Sequence, residues 1–197
     1  METEEQKKVA KEVYGKLKLI DPYSILAGGA PRDWYFGQKA NDLDFYFFST
    51  ATTVRSVENQ LTELLGVSVK AAEYNPEDHE HGQYKVMPFL RRVLEAEVEG
   101  QKVQFMQLTE PNAQFKVVDA MSVSICKIWA TPTLELKLHH DFMLTLATKT
   151  MFLSEGYSWT DKHPAKISGR SLGDGFSLGT KRGAEKAIIR RALQEMK

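Results

Sequence analysis

Asp42 and Asp44 stand one residue apart at the head of the apolar run Leu43 to Phe48, about a dozen residues after the adjacent glycines Gly28 and Gly29. On a strand, residues i and i+2 point to one face. The two carboxylates then project together, with Leu43 and Phe45 turned to the buried side. Carboxylates that close repel unless positive charge lies between them. Divalent cations supply that charge, and Mg²⁺ favours carboxylate oxygens together with substrate phosphates. Asp44 lies inside a run that should be mostly buried, where an unpaired carboxylate is costly. The apolar run Tyr23 to Ala27 leads into the two glycines. A glycine pair at a strand end lets a phosphate come close to backbone N–H groups. These parts together describe a site for a metal-bound nucleoside triphosphate.

The elements that must position this site are legible in outline. Residues 3 to 18 read as an amphipathic helix with Val9, Val13, Tyr14 and Leu17 at helical spacing. Tyr23 to Ala27 is expected as a first strand, Pro31 to Phe36 as a short helix with its N-terminus facing the glycines, and Leu43 to Phe48 as a second strand. Ser49 and Thr50 are expected to cap a helix running to about Leu65, with Val54, Val57, Leu61 and Leu64 on one face. Val67 to Tyr74 reads as a strand and Asn75 to Gly82 as a polar loop. Arg92 to Glu99 and Lys102 to Leu108 read as a hairpin turning at Glu99-Gly100-Gln101. Ser122 to Trp129 is expected as a strand, His140 to Leu153 and Gly183 to Met196 as helices, and roughly 168 to 180 as a Gly- and Ser-rich connection. The order implies an α+β fold, a mixed β-sheet with helices packed on it and a small helical C-terminal extension. The core is expected over 1–131 and the extension over 132–197.

The string LAGGAPRDWYFGQKANDLDFYF resembles the head motif of the tRNA nucleotidyltransferase and bacterial poly(A) polymerase branch of the DNA polymerase β-like nucleotidyltransferase superfamily. In that branch Gly-Gly-x-x-Arg-Asp, an apolar stretch, a Gly and Asp-x-Asp follow in this order. The short chain also resembles small nucleotidyltransferase-like proteins of bacteriophages. The match covers roughly residues 23 to 48, with weaker likeness at Val103–Leu108 and Ser122–Ile128. The resemblance implies an NTP substrate held with Mg²⁺ and transfer of a nucleoside monophosphate to an RNA or protein hydroxyl. Asp42 and Asp44 would hold the metals, Gly28 and Gly29 would cradle the β- and γ-phosphates, and Arg32 would support phosphate or the fold around it. Asp33 would orient Arg32.

Many members of the superfamily add a third carboxylate on a later strand. Here the hairpin strand offers Gln104, which cannot ionise, and the Ser122 segment reads Met121-Ser122-Val123-Ser124. Asp119, a few residues earlier, is the expected substitute and the third catalytic candidate. The departure leaves open a nucleotide-binding or interaction protein of the same fold, or a toxin-like enzyme acting on tRNA ends or a protein side chain. Full tRNA nucleotidyltransferases carry large helical domains after the core, whereas about 60 residues follow it here, so an acceptor that is smaller, differently held or a protein is expected.

Composition narrows the setting. The chain has 197 residues, 42% hydrophobic and 26% charged, which fits a globular protein. No apolar run approaches the ~18 residues of a membrane span, and the charged, amphipathic first twenty residues do not read as a secretory signal. The single cysteine, Cys126, fits a reducing, cytoplasmic interior and is expected to be a buried structural thiol. Net charge is zero, so any nucleic-acid-binding surface must be local. The tail residues Lys162, Lys166, Arg170, Lys181, Arg182, Lys186, Arg190 and Arg191 form either that surface or a solvated helix face. Asp78-His79-Glu80-His81 and His139-His140 resemble metal ligands by composition but are expected to be structural, the first because its polar loop offers no further partners in sequence, the second because adjacent helical residues diverge. His163, with Lys166 and Arg170, could meet substrate phosphate. Ser24, Ser122 and Ser124 have no base near them in sequence, which gives a serine hydrolase no support.

Overall fold

The computed structural model describes residues 2–72, 87, 89–112, 114–157 and 175–195. Two compact units divide the chain: Met1–Ala120 with Ile128–Lys137, and Met121–Lys127 with Leu138–Lys197.

The first unit is built on helices α1 (Thr3–Leu17), α2 (Gly29–Tyr35), α3 (Val54–Leu65) and α4 (Gln114–Ala120), and on strands β1 (Ile25–Ala27), β2 (Asp42–Phe48), β3 (Lys70–Ala71), β4 (Leu90–Val98), β5 (Gln101–Leu108), β6 (Ile128–Ala130) and β7 (Leu136–Leu138). These strands form one sheet in the order β3-β4-β5-β2-β1-β6-β7. β2 and β5 are parallel, while β1 runs antiparallel to both β2 and β6, and β4 antiparallel to β3 and β5. The sheet is mixed and the class α+β, as the sequence implies.

The core lies on the face opposite the aspartates. Leu43, Phe45 and Phe47 are fully buried, and Phe105 packs between the two β2 aromatics, stacked on Phe45 at 6.2 Å and edge-on to Phe47 at 6.4 Å between ring centroids. Val9, Val13, Tyr14 and Leu17 of α1, with Val57, Leu61 and Leu65 of α3, close this side. Tyr14 stands edge-on to Phe45 at 5.0 Å. Its hydroxyl donates to the Ala130 carbonyl and accepts the Leu26 N–H, both at 2.5 Å. Leu26 and Ala130 are register partners across β1 and β6, so one phenol bonds a backbone group on each of these two strands. Burial pushes the Tyr14 hydroxyl well above the ordinary tyrosine range, against the smaller opposing effect of the Leu26 N–H, so it stays protonated.

A second polar clamp holds the entry to β2. Gln6 is fully buried on α1. Its amide donates to the Ala40 carbonyl at 2.7 Å and to Gln101 Oε1 at 2.6 Å, and its own carbonyl accepts the Ala40 N–H at 3.0 Å. Gln101 in turn donates to the Asn41 carbonyl at 3.0 Å. The backbone immediately before Asp42 is thereby pinned from two elements. At the other end of β2, Asp21 accepts the Phe48 N–H at 2.8 Å and the Tyr23 N–H at 3.0 Å.

Several expected elements move. The helix after β2 is capped by Thr53, not by Ser49 or Thr50. Thr53 accepts from Ser56 at 3.1 Å in a reciprocal capping box, while Ser49 donates to Gln60. Val54 is consequently 45% exposed and Leu65, not Leu64, is buried. In place of Val67 to Tyr74, the described part of the edge strand is Lys70–Ala71, both exposed. The hairpin forms as expected, with Glu99 and Gly100 both at positive φ (49° and 74°), the conformation of a tight two-residue hairpin turn.

The second unit holds a 3₁₀ turn (Ser124–Cys126), α5 (His140–Thr148), β8 (Thr150–Met151), β9 (Ser177–Leu178) and α6 (Lys181–Glu195). The expected strand Ser122 to Trp129 does not form over its first half. Cys126 and Lys127 give their N–H groups to Val123 and Ser124, closing the turn locally. The buried Ser124 hydroxyl accepts from Thr145 at 2.6 Å and from the Phe152 N–H at 3.1 Å. Cys126 is half-buried in this turn instead of lying in a buried strand. α5 stops at Thr148 and not at Leu153, because Lys149 turns left-handed (φ 53°) as its cap. β8 and β9 then pair in parallel.

Candidate active site

The site grows from the ends of three neighbouring strands. β1 runs antiparallel to β2 with Leu26 opposite Phe45, so continuing that register places the glycine turn after β1 beside the start of β2. Asp42 and Asp44 occupy that start, both half-buried, alternating with buried Leu43 and Phe45. The expectation that the two carboxylates share a face follows from this alternation. Gly28 adopts φ 90° and ψ −119°, a region open essentially to glycine, and caps α2. Gly29 begins the helix. Among the described residues, a Cβ built on it would meet only Arg32 Nη2, at 4.0 Å, so the space next to this turn is open at contact distance.

Arg32 is clamped by Asp33, whose Oδ1 accepts from Nε at 2.8 Å and from Nη2 at 2.7 Å. Asp33 is buried and Arg32 mostly so. The pair is a close, desolvated one that fixes the guanidinium beside the glycine turn.

β5 adds a second row on the same face. Lys102 stands opposite Asp42 and Gln104 opposite Asp44. The next strand, β4, places Glu97 opposite Lys102 and Glu95 opposite Gln104. Directly opposed residues share a face, so Asp44, Gln104 and Glu95 form one transverse row. At ~4.8 Å per strand, the backbones of Asp44 and Glu95 lie about 10 Å apart. Glu95 accepts from Gln104 at 2.5 Å and pairs with Lys102 at 2.9 Å. Burial pushes its carboxyl up, but the hydrogen bonds from Lys102 and Gln104 and the lysine charge outweigh this and hold it below the usual glutamate range. Glu95 is the ionised group that motif spacing missed. Its only signal in the sequence was its place on the strand that pairs with Gln104, a register that cannot be read until the hairpin turn is set.

Asp119 is exposed, one residue from the end of α4, the helix that packs against β1 and β2. It lies on a helix and not on a strand of the sheet. The oxygens of Asp42 and Asp44, with Lys102 turned instead to Glu95, are a hard, anionic donor set of the kind that suits Mg²⁺.

In the second unit, His139, His140 and Asp141 bring ligand atoms within 4.8 Å of one another. His139 caps α5 instead of lying within it, so the two rings meet at 4.0 Å between centroids and do not diverge as expected. Asp141 Oδ2 pairs with Lys127 at 2.8 Å and Oδ1 with Lys181 at 2.9 Å, and His139 Nδ1 accepts the Asp141 N–H at 3.1 Å. Two ammonium groups already serve this carboxylate, which makes the cluster an ion-pair hub and a poor cation site. Asp78–His81, together with Lys162, His163, Lys166 and Arg170, lies outside the described residues. Among the described residues, no helix is long and apolar enough to cross a membrane.

No protein-family model matches the chain, and no curated protein matches its sequence. Solved structures do. A CCA-adding enzyme in complex with CTP aligns with a TM-score of 0.57 at 14% identity, covering 94% of this chain and 43% of that one. A CCA-adding enzyme in an apo form gives 0.54 at 13% identity, over 95% and 43%. A tRNA-processing enzyme in an apo form gives 0.53 at 17%, over 93% and 46%. The chain has the nucleotidyltransferase-like fold. At these identities the likeness speaks for the fold, and this chain spans less than half the length of the chains it matches. The nucleotidyltransferase-like sheet is what sets Asp42 and Asp44 beside the Gly28–Gly29 turn.

Proposed function

We propose that this chain is a Mg²⁺-dependent nucleotidyltransferase that moves a nucleoside monophosphate from an NTP to an acceptor hydroxyl, with RNA as the acceptor class. The observation that carries the reading is the pair Asp42 and Asp44 on one face of β2, beside an open glycine turn, on this fold. The acceptor oxygen bonds to the α-phosphorus, the bond from that phosphorus to the α–β bridging oxygen breaks, and pyrophosphate leaves with the electron pair. Mg²⁺, when bound, supplies charge neutralisation on the triphosphate and the attacking oxygen. Asp42 and Asp44 would hold it. The Gly28–Gly29 backbone admits the β- and γ-phosphates, and Arg32, fixed by Asp33, faces their charge. The hydroxyl proton passes to a carboxylate, for which Glu95 and Asp119 are the two candidates.

A second reading keeps the nucleotide and loses the turnover. It is favoured by one observation, the amide of Gln104 opposite Asp44. The test is to incubate the protein with each labelled NTP, Mg²⁺ and either total RNA or a protein extract. Label transferred to RNA supports the enzyme, and transfer to protein moves the acceptor. NTP binding without transfer to anything selects the binding module.

A further inference from the structure

Helix α6 presents nearly its whole circumference to solvent: of Lys181–Glu195, only Ala184 is buried. Arg182, Lys186 and Arg190 follow one another at i, i+4 and i+8, so they form a single row rising about 6 Å per step. At about 100° per residue this row lies roughly 160° around the axis from Ala184, on the side away from the protein. Ile189 and Leu193, 58% and 57% exposed, lie along one side of it, at i+3 from Lys186 and Arg190. Glu185 stands beside the start of the row, at i+3 from Arg182, and Glu195 is taken up by Arg191 at 3.1 Å off the row. Like charges at i, i+4 destabilise a helix, and the Lys186–Arg190 step has no acidic residue at i±3 or i±4 of either member, so it weakens α6 unless an external anion lies along it. The chain as a whole is neutral, which makes this row a local field and not part of a general basic surface.

We infer that the outer face of α6 docks along the phosphate backbone of an RNA strand. Basic groups repeating every turn, with a stem of aliphatic contact beside them, suit successive phosphates and the riboses between them. An anionic membrane is the less fitting anion. Helices that lie in a membrane interface bury a broad apolar face, often with aromatic residues, and the exposed large apolar side chains of α6 are three aliphatic ones, Ile188, Ile189 and Leu193, with no aromatic residue. The inference deepens the proposed acceptor class, and it is measured without NTP.

The experiment is fluorescence anisotropy of the full chain with a labelled single-stranded RNA and a tRNA, in salt from about 50 to 200 mM. The triple variant Arg182→Gln, Lys186→Gln, Arg190→Gln should bind at least about tenfold more weakly. Its log–log salt slope should fall by about 2, since each lost phosphate contact is worth about 0.7 on single strands. Should the triple variant fail to fold, each single Gln variant should reduce the slope by about 0.7. An unchanged affinity and slope would overturn the inference, as would a native chain that binds no RNA at low salt. So would a native chain that binds phosphatidylserine vesicles but not RNA. RNA binding that depends on α6 in a protein without NTP transfer would leave this inference standing and count against the enzymatic reading alone.

Discussion

Gln104 and Glu95 face each other across β5 and β4, and the glutamine side-chain N–H is given to the glutamate at 2.5 Å. Gln104 also faces Asp44 on its other side, so the row reads carboxylate, amide, carboxylate across three strands. An ionised group is thus present on the aspartates' own face, one strand beyond the position that motif spacing singled out. This makes Glu95 a rival to Asp119 for the third carboxylate. If Glu95 takes the proton or holds the acceptor, Glu95→Gln should lower kcat by about 10²–10⁴-fold, while Asp119→Asn should stay within a few-fold of the native rate. The reverse pattern in single-turnover assays would return the role to Asp119. Gln104→Glu is the companion variant. It brings a carboxylate directly opposite Asp44, and Mn²⁺ titration should show tighter metal binding.

Asp42→Ala and Asp44→Ala should each remove NTP-dependent transfer by more than about 10³-fold, and the double variant should be inert. Both side chains are half-buried at a sheet end, and removing one of two neighbouring carboxylates relieves repulsion. The melting temperature should therefore hold or rise. Calorimetric Mg²⁺–NTP binding that is unchanged in the double variant would remove the metal assignment.

The two glycines should behave differently from each other. At Gly29 a new Cβ meets nothing closer than Arg32 Nη2 at 4.0 Å, so Gly29→Val should fold normally and lose NTP affinity by tenfold or more, as the side chain enters the space assigned to triphosphate. At Gly28, φ 90° with ψ −119° resists any side chain. Gly28→Ala should cost on the order of 1–3 kcal/mol of stability, visible in urea denaturation. Equal NTP affinity in Gly29→Val and the native protein would reject the phosphate cradle.

What could be read from the sequence was what local spacing encodes. The alternation around Asp42 and Asp44, the glycine pair and the Glu99–Gly100 turn each need only a few consecutive residues, and each stands as expected in the fold. The parts that escaped are set by distant partners. Gln6 is a polar residue of an amphipathic helix, yet it is buried because Ala40 and Gln101 meet it from far along the chain. Ser122 to Trp129 has the composition of a strand, but Ser124 is claimed by Thr145 and Phe152 and the backbone coils. His139 and His140 were expected to diverge as neighbours on a helix do, yet His139 sits at the cap, outside the helix, and the two rings meet. Glu95 needed the hairpin register before it could be seen beside Gln104.

Asp141 gives the sharpest stability prediction. Its carboxylate and the Lys127 ammonium, both about 5% exposed, pair at 2.8 Å, and Lys181 completes the site at 2.9 Å. Burial pushes the Asp141 carboxyl up, but hydrogen bonds from Lys127 and Lys181 and their charges prevail and hold it below the usual aspartate range. A carboxylate with a depressed folded pKa contributes stability that is present above the unfolded value, about 3.9. That contribution is lost as the pH falls through the lower folded value. Asp141→Asn leaves Lys127 buried without a counter-charge and should destabilise the protein by about 3–5 kcal/mol at pH 7. The difference from the native protein should shrink below about pH 4, where the native carboxyl begins to lose its own advantage. Replacing both partners, Asp141→Leu with Lys127→Met, removes the stranded charge, and stability should recover most of that loss. Urea denaturation of the native, single and double variants at pH 7 and pH 3 measures all three. A single variant as stable as the native chain at pH 7 would show that the buried pair is not what holds α5 to the turn at Ser124–Cys126.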